Sequence, residues 1–198
     1  MQTHHAAEPA PRVGLAVRPD VLFVAITARI DEGPPTKSID ALHAAAETLV
    51  SRMRSISAAA SVQARALRIA DVETEKSGRP TTSKIQLDAA VEIPLEVHDD
   101  YWVRARRAAI VVESLGALAS ELGKGKPPIR LAWRSPVARV ADAEVHRAAL
   151  SERWRSHVCS LLASDAPTTA RFDTSIEIRQ TDVSLDEVRL QLTDGRER

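Results

Sequence analysis

The stretch Ser83–Val97, SKIQLDAAVEIPLEV, decides the fold, because aliphatic and polar residues alternate along most of it. A period of two held over this length indicates a strand with one face on a core and the other in water. The residues expected against helices are Leu87, Val91 and Ile93, and those expected in water are Gln86, Asp88 and Glu92. A parallel strand covered on both faces has a continuous apolar run instead, so the pattern favours an antiparallel sheet and an α+β rather than an α/β fold.

Six further stretches have the composition of strands, since they are short, rich in aliphatic residues and bounded by turn residues. They are Val13–Val17, Val21–Ile30, Val62–Val72, Ile129–Val137, Thr174–Gln180 and Glu187–Thr193. The stretch Glu73–Thr82, which contains Gly78 and Pro80, is predicted to be the hairpin loop before the alternating strand.

Three longer stretches repeat apolar residues in steps of three and four, the spacing of one helix face. The first helix is predicted to begin at Ile39, with Ser38 as its N-cap. The second follows the pair Asp99-Asp100 and ends at Gly123, and the third is capped by Asp142. The predicted apolar faces are Leu42, Ala46, Leu49, Val50, Met53 and Ile56 on the first helix, Tyr101, Ala105, Ala108, Val112, Leu115, Ala119 and Leu122 on the second, and His146, Leu150, Trp154, His157 and Leu161 on the third.

The predicted order of elements is β-β-α-β-β-α-β-α-β-β, with the three long helices on one face of an antiparallel sheet. The chain has 198 residues, a length that suits one domain. We expect a disordered N-terminal arm over residues 1–12, a single domain over residues 13–193, and a polar tail over residues 194–198.

The composition argues against several classes of protein. Lys+Arg and Asp+Glu both number 27, so the chain lacks the basic excess of most nucleic-acid binders. Neither a transmembrane run nor a secretory signal occurs, and we expect a cytoplasmic protein, or a periplasmic or secreted one if a signal peptide was removed. Aromatic residues make up 3%, so alanine and aliphatic residues must fill the core, which counts against a preformed deep pocket.

No stretch has the residues of a catalytic or metal site at the required spacing. Gly123–Lys126 resembles a phosphate loop, but Pro127 and Pro128 follow it and no hydroxyl residue does, so a helix end and turn is the better interpretation. His146 and His157 are predicted about 16 Å apart along one helix, too far to share a metal ion unaided. We therefore predict a non-enzymatic protein without a cofactor.

Arginine clusters on the predicted helices are the strongest charge feature. They are interpreted first as a solvated face, with a subunit contact and nucleic-acid binding as the alternatives. Cys159 is predicted to lie off the apolar stripe of its helix, where it is either exposed or in contact with another chain. The residues of this possible contact surface are Arg104, Arg106, Arg107, Arg153, Arg155 and Cys159.

The layout resembles the SIMPL domain, a family found in bacterial periplasmic and membrane-associated proteins. The resemblance lies in VRPDVLFVAITARI (residues 17–30), the Ala-rich helix Ile39–Ala59, the strand and helix of Ile85–Gly116, and the strand, Asp-containing link and helix of Ile129–Leu162. Asp142, Ala148 and Ala149 stand in fitting places, whereas Glu152–Arg155 departs from the family's Ala-rich helix. The resemblance implies an α+β fold, no catalytic residues, and homo-oligomers in some members.

Two functions follow as hypotheses. The first is a non-enzymatic interaction protein that assembles with itself or binds another protein. The alternative is a carrier that holds a small ligand in a pocket between the sheet and the helices. An enzyme stays possible only if the fold brings together residues that are distant in the sequence, such as a carboxylate beside His146 or His157 in a deep pocket.

Overall fold

A computed structural model describes residues 13–74, 80–162, 176–181 and 183–194. These residues form an α+β fold of helices and antiparallel sheets, as the alternating strand predicted. The elements are β1 (Gly14–Val17), β2 (Val21–Ile30), α1 (Pro35–Ile56), β3 (Ser61–Thr74), β4 (Pro80–Pro94), α2 (Tyr101–Gly123), β5 (Arg130–Trp133), β6 (Val137–Arg139), a 3₁₀ turn (Ala143–His146), α3 (Arg147–Leu162), β7 (Ile176–Thr181) and β8 (Val188–Asp194). The predicted N-terminal arm and the tail beyond Asp194 lie outside the described residues.

The described strands form two sheets rather than one, and the chain divides into two compact units. The larger unit is Pro19–Arg139, and the smaller unit consists of the described residues of Met1–Arg18 and Val140–Arg198. The larger unit has the strand order β3-β4-β2-β5, with β6 also paired to β2, and the smaller unit has the order β1-β8-β7. A single domain over residues 13–193 stays a prediction.

In the larger unit, α1 and α2 contact each other, α1 contacts β2, β3 and β4, and α2 contacts β5. β2 and β4 pair in antiparallel register, with Val24 opposite Val91 and Ala28 opposite Leu87. The buried aliphatic side chains of these two central strands meet those of α1, such as Leu42 and Leu49. Burying each large aliphatic side chain stabilises the fold by about 1.5–3 kcal/mol, so this layer is the main source of the unit's stability.

The register predicted for β4 is the one observed. Val91 and Ile93 are fully buried and Leu87 is half-buried, all on the helix-facing side of the strand. The opposite face differs from the expectation, because Gln86, Asp88 and Glu92 are half-buried rather than open to water. Long polar side chains of the sheet cover one another there.

Asp88 is at the centre of that polar layer. Its carboxylate accepts hydrogen bonds from Thr27 Oγ1 at 3.2 Å and from Gln86 Nε2 at 2.8 Å. It also pairs with the Arg68 guanidinium at 3.1 Å. Mutual coverage of polar side chains therefore lowers their exposure.

The first helix begins earlier than predicted. α1 starts at Pro35 with Pro34 as its N-cap residue, and Ser38, the predicted cap, is buried within the first turn. Proline is favoured at the first helical position, because its φ is already helical and its missing N–H would be unbonded there anyway. The Pro34-Pro35 pair thus starts the helix one turn ahead of the serine.

The predicted strand Ile129–Val137 is two short strands, β5 and β6. Pro136 lies between them and has no N–H to donate to a sheet ladder. The Arg134 N–H still donates to the Ala25 carbonyl at 2.9 Å, so both pieces stay on the same side of β2.

In the smaller unit, α3 packs on β8 and β1. Its core contains Val140, Leu150, Val188 and Leu190, of which Leu150 belongs to the predicted apolar face. The Gln180 side chain holds the Val140 backbone in both directions, accepting from its N–H at 3.0 Å and donating to its carbonyl at 2.8 Å. The predicted cap Asp142 does act as one, since its side chain accepts from Glu144 N at the start of the 3₁₀ turn that leads into α3.

Candidate functional site

Arg104 does not belong to a contact surface, because its side chain is completely buried. Its Nε donates to the Asp99 carbonyl at 3.1 Å, and its two terminal nitrogens donate to the carbonyls of Pro19 and Glu96, each at 3.0 Å. The guanidinium thus joins the segment before β2, the segment after β4 and the start of α2. We correct the sequence interpretation, which placed Arg104 on the outer face of its helix.

The apolar face predicted for α2 differs from the observed one. The residues buried with Arg104 are Val111, Leu115 and Leu118, spaced by seven, four and three, whereas the predicted Val112 is exposed. The predicted face shares Leu115 with the observed one and lacks Val111 and Leu118. The N-terminal cap is confirmed, with the Asp100 carboxylate accepting from Val103 N at 2.8 Å.

The other five residues of the predicted contact surface are at least partly accessible. Arg106, Arg153, Arg155 and Cys159 are exposed, and Arg107 is half-buried. Arg107 pairs with the Asp99 carboxylate at 2.9 Å, Arg153 donates to the Gly14 carbonyl at 3.3 Å, and Arg155 pairs with Glu152 at 3.2 Å. Arg106 and Arg107 belong to the larger unit and the remaining three to the smaller one, and their contact with a partner stays a prediction.

The residues considered for metal or phosphate binding do not come together in the described part of the chain. There, no three His, Cys, Asp or Glu side chains are placed to hold a metal ion. His146 is half-buried in the 3₁₀ turn and His157 is exposed on α3. Gly123–Lys126 is a helix end, with Lys124 N and Gly125 N bonded to the carbonyls of the last helical turn. Among the described helices, none has the length and apolar character to cross a bilayer.

An apolar cavity of about 120 Å³ lies in the larger unit between the sheet and the two helices. Every residue that lines it is alanine, valine, leucine or isoleucine. The lining comes from four strands and both helices: Ile26 and Ala28 on β2, Val62 and Ala64 on β3, Leu87 and Ala89 on β4, Leu131 on β5, Leu42, Ala45, Ala46, Leu49 and Val50 on α1, and Leu118 and Leu122 on α2. This is the place predicted for the pocket of a carrier.

The small size of alanine explains the cavity. Ala28, Ala45 and Ala89 are buried and face it from β2, α1 and β4, where larger side chains would fill the space. The sequence interpretation took abundant alanine and few aromatics as signs against a preformed deep pocket, and the cavity of about 120 Å³ is a small one. In a layer whose spacing is set by leucine and isoleucine, alanine leaves a void.

The exposed residue of the lining is Ala64 on β3, and we call this side of the cavity its mouth. The half-buried residues of the lining are Ala46, Val50, Val62, Leu87, Leu122 and Leu131. We expect small molecules to enter on the side of Ala64, because the lining is most exposed there. With no polar side chain in its wall, the cavity offers no acid, base or nucleophile for catalysis.

A second feature of the larger unit is the edge of β3, the terminal strand in its sheet. Leu67 and Ile69 lie on its helix-facing side with 48% and 50% of their surface exposed. The strand is regular from Ala66 to Ala70, between register irregularities on either side. An edge of this kind, with aliphatic side chains and available backbone groups, is a template for pairing with another strand.

The chain matches no protein-family model and no curated protein. Partial likenesses to solved structures include three amidases of the hydantoinase/carbamoylase family. The one from Burkholderia ambifaria is 10% identical over 62% of this chain and 30% of that chain, with a TM-score of 0.37. The one from Burkholderia phymatum is 14% identical over 71% and 36%, with a TM-score of 0.40, and the one from Burkholderia vietnamiensis is 11% identical over 70% and 33%, with a TM-score of 0.34.

This chain thus spans about a third of the length of those amidases. At these TM-scores the likeness assigns neither fold nor activity to it. The chain's own surfaces and cavity are therefore the guide to its function.

Proposed function

We propose that this chain is a non-enzymatic protein that associates with a second copy of itself through the edge of β3. The observation that carries the proposal is the regular run Ala66–Ala70, which is exposed from Leu67 onward and has two half-exposed aliphatic side chains. Strand addition at such an edge gains backbone hydrogen bonds and buries alternate side chains.

The run is complementary to itself. When two copies pair antiparallel about Arg68, Leu67 of each copy lies opposite Ile69 of the other, and Ala66 lies opposite Ala70. The two Arg68 side chains then meet, but each is already paired with Asp88 at 3.1 Å, which offsets the repulsion. Burying the exposed half of each of the four aliphatic side chains contributes about 1 kcal/mol apiece.

The partner is a second copy because a two-fold axis uses one surface twice, and this run supplies both halves of each aliphatic pair. The SIMPL resemblance agrees with this proposal, since it implies homo-oligomers in some members. Membership of that family and a cytoplasmic location are proposals as well.

Sedimentation velocity across a concentration series tests the self-association. We expect the wild type to form a dimer, and Ile69→Lys to shift it to monomer by placing two buried charges in the interface. The matched control is Ile110→Lys on α2, because Ile110 is 42% exposed and lies on another element. A wild type that stays monomeric at about 100 μM, well above the dissociation constants of most specific complexes, would rule out the proposal. Equal effects of the two lysine substitutions would also rule it out.

A small-ligand carrier is the second candidate, and the apolar cavity is the observation that favours it. Native mass spectrometry of the protein purified from its own source tests this function. An extra bound mass that is released on denaturation supports a carrier, and its absence from freshly purified protein argues against one.

A further inference from the structure

We propose that the cavity binds one small apolar molecule, no larger than a single six-membered ring with short substituents. This inference rests on the second candidate function and names its class of ligand. It excludes nucleotides, sugars and extended lipids from the site. The argument comes from the size of the cavity, the chemistry of its wall and its access to solvent.

The size is that of one ring. A void of about 120 Å³ is close to the engineered cavity of about 150 Å³ in another protein that stays dry and binds benzene or xenon. Pockets for drug-sized ligands are several times larger, at about 300–1,000 Å³. The lining of four strands and two helices leaves no room for such a ligand without separating the helices from the sheet.

The wall determines the polarity of the ligand. Because only aliphatic side chains line the cavity, no side chain there can replace the hydrogen bonds that a polar ligand makes to water. An apolar ligand instead restores the dispersion contacts that the facing side chains lack across a void. The wall accepts an apolar ring and rejects its hydroxylated analogue.

Access depends on α1 and β3. Ala46 on α1 is half-buried and lines the same cavity as Ala64 on β3. A leucine at position 46 would fill this end of the cavity, and leucine suits a helix. Ala44, two residues earlier on the same helix, is exposed and absent from the lining, so the same substitution there is a matched control.

The experiment titrates purified full-length protein with benzene, followed by chemical shifts of the leucine and valine methyl groups and by calorimetry, with phenol as the polar comparison. We expect a dissociation constant of about 1 mM for a six-atom ligand and a negative heat-capacity change. Ala46→Leu should weaken benzene binding by at least about tenfold, Ala44→Leu should leave it within about twofold, and phenol should bind more weakly than benzene.

A second variant keeps the test independent of cavity filling. Val50→Ala enlarges the mouth from α1 at a half-buried position, and it should admit toluene or ethylbenzene more tightly than the wild type does. Saturable benzene shifts at the lining methyl groups that respond to both variants support the inference. Shifts that Ala46→Leu leaves unchanged, or no shifts up to the solubility limit of benzene, overturn it.

The outcomes also separate this inference from the carrier function. Benzene binding in the cavity of a protein that carries no extra mass from its own source supports the site and removes the carrier role. A natural bound mass that survives Ala46→Leu, in a protein whose lining methyl groups do not shift with benzene, supports a carrier whose ligand binds elsewhere. That result overturns the inference.

Discussion

Replacing Arg104 tests the part of the architecture that the sequence interpretation placed wrongly. Arg104→Met keeps an unbranched, apolar stem and removes the guanidinium that donates to the carbonyls of Asp99, Pro19 and Glu96. The bond to Pro19 is buried, so its carbonyl loses a partner that water cannot replace, at a cost of about 1–3 kcal/mol. The other two bonds are partly buried, and water compensates for part of their loss.

Losing one buried and two partly buried hydrogen bonds destabilises the protein, whereas removing the guanidinium also removes the cost of burying its charge. The net destabilisation that we expect is about 3 kcal/mol. With an m-value of about 2 kcal/mol per molar urea, the midpoint of unfolding should fall by about 1.5 M. Urea unfolding followed by circular dichroism and by tryptophan fluorescence measures the shift.

Arg106→Met is the matched control, because Arg106 is exposed on the same helix two residues away. Its midpoint should move by an amount equivalent to less than about 0.5 kcal/mol. Equal midpoints for the two variants would refute the argument, since they would mean that the Arg104 guanidinium is in solvent. Arg104→Lys should be nearly as damaging as Arg104→Met, because a lysine ammonium cannot present the planar fork that reaches three separate carbonyls.

Three further predictions concern single sites. Val91→Ala should lower the free energy of unfolding by about 2–3 kcal/mol through lost burial. Gln86→Ala, on the opposite face of β4, should lower it by less than about 1 kcal/mol. Urea unfolding measures both losses, and equal losses would mean that the two faces are equally packed. The hydrogen bond from the Arg147 side chain lowers the pKa of the Glu144 carboxyl from its ordinary 4.5. The stability that this pair contributes is therefore complete above pH 4.5 and is lost as the pH falls through the lowered pKa. An NMR titration measures this pKa, and Arg147→Met should return it toward 4.5. Cys159 is exposed, so one thiol per chain should react with a chromogenic disulfide without denaturant, and a thiol that reacts only in urea would contradict its placement.

The sequence was sufficient to predict the elements whose signals are local and long. The alternation in β4 persists over enough residues to determine the strand, its buried face and the antiparallel class of the sheet, and Asp100 announces the start of α2 because an N-cap acts on its own helix. Such features depend on neighbours in the chain, so one sequence contains them.

Features that depend on residues distant in the chain could not be predicted from the sequence. The three carbonyls that bind Arg104 come from Pro19, Glu96 and Asp99, of which Pro19 is 85 residues away in the chain. No local pattern marks an arginine that will be surrounded by backbone acceptors. The expectation that arginines on an Ala-rich helix form its solvated face therefore placed Arg104 on the surface.

The sequence offered a pocket between the sheet and the helices only as an alternative, and it could not decide whether a cavity is present. Alanine at positions 45 and 46 of α1 fits a helix facing a core, and alanine at position 89 fits a strand. Whether these small residues pack tightly or leave a void depends on what faces them across the layer, which a single sequence does not state. The signal that could have found the cavity is the coincidence of alanines on predicted inward faces of several elements at once.

The proposed self-association and the proposed ligand site share one strand, and this leads to a final prediction. Ala64 borders the mouth of the cavity, and Leu67 lies three residues further along the same exposed edge of β3. A second copy paired along the run Ala66–Ala70 would lie beside the mouth and change the affinity of the cavity for a ligand. Any such effect is reciprocal, because a ligand bound more tightly by the dimer must strengthen the dimer by the same factor.

Measuring both halves of this cycle decides whether the coupling exists. Benzene affinity is measured by methyl chemical shifts in the wild type above its dimer dissociation constant and in Ile69→Lys, and the dimer constant is measured by sedimentation with and without saturating benzene. We expect the two ratios to agree and to exceed about twofold, which corresponds to roughly 0.4 kcal/mol of coupling. A partner strand next to Ala64, the only exposed alanine of the described lining, must change the solvent exposure of benzene bound behind it. Equal benzene affinities in dimer and monomer, together with a dimer dissociation constant that benzene does not change, would therefore show that the mouth lies outside the interface.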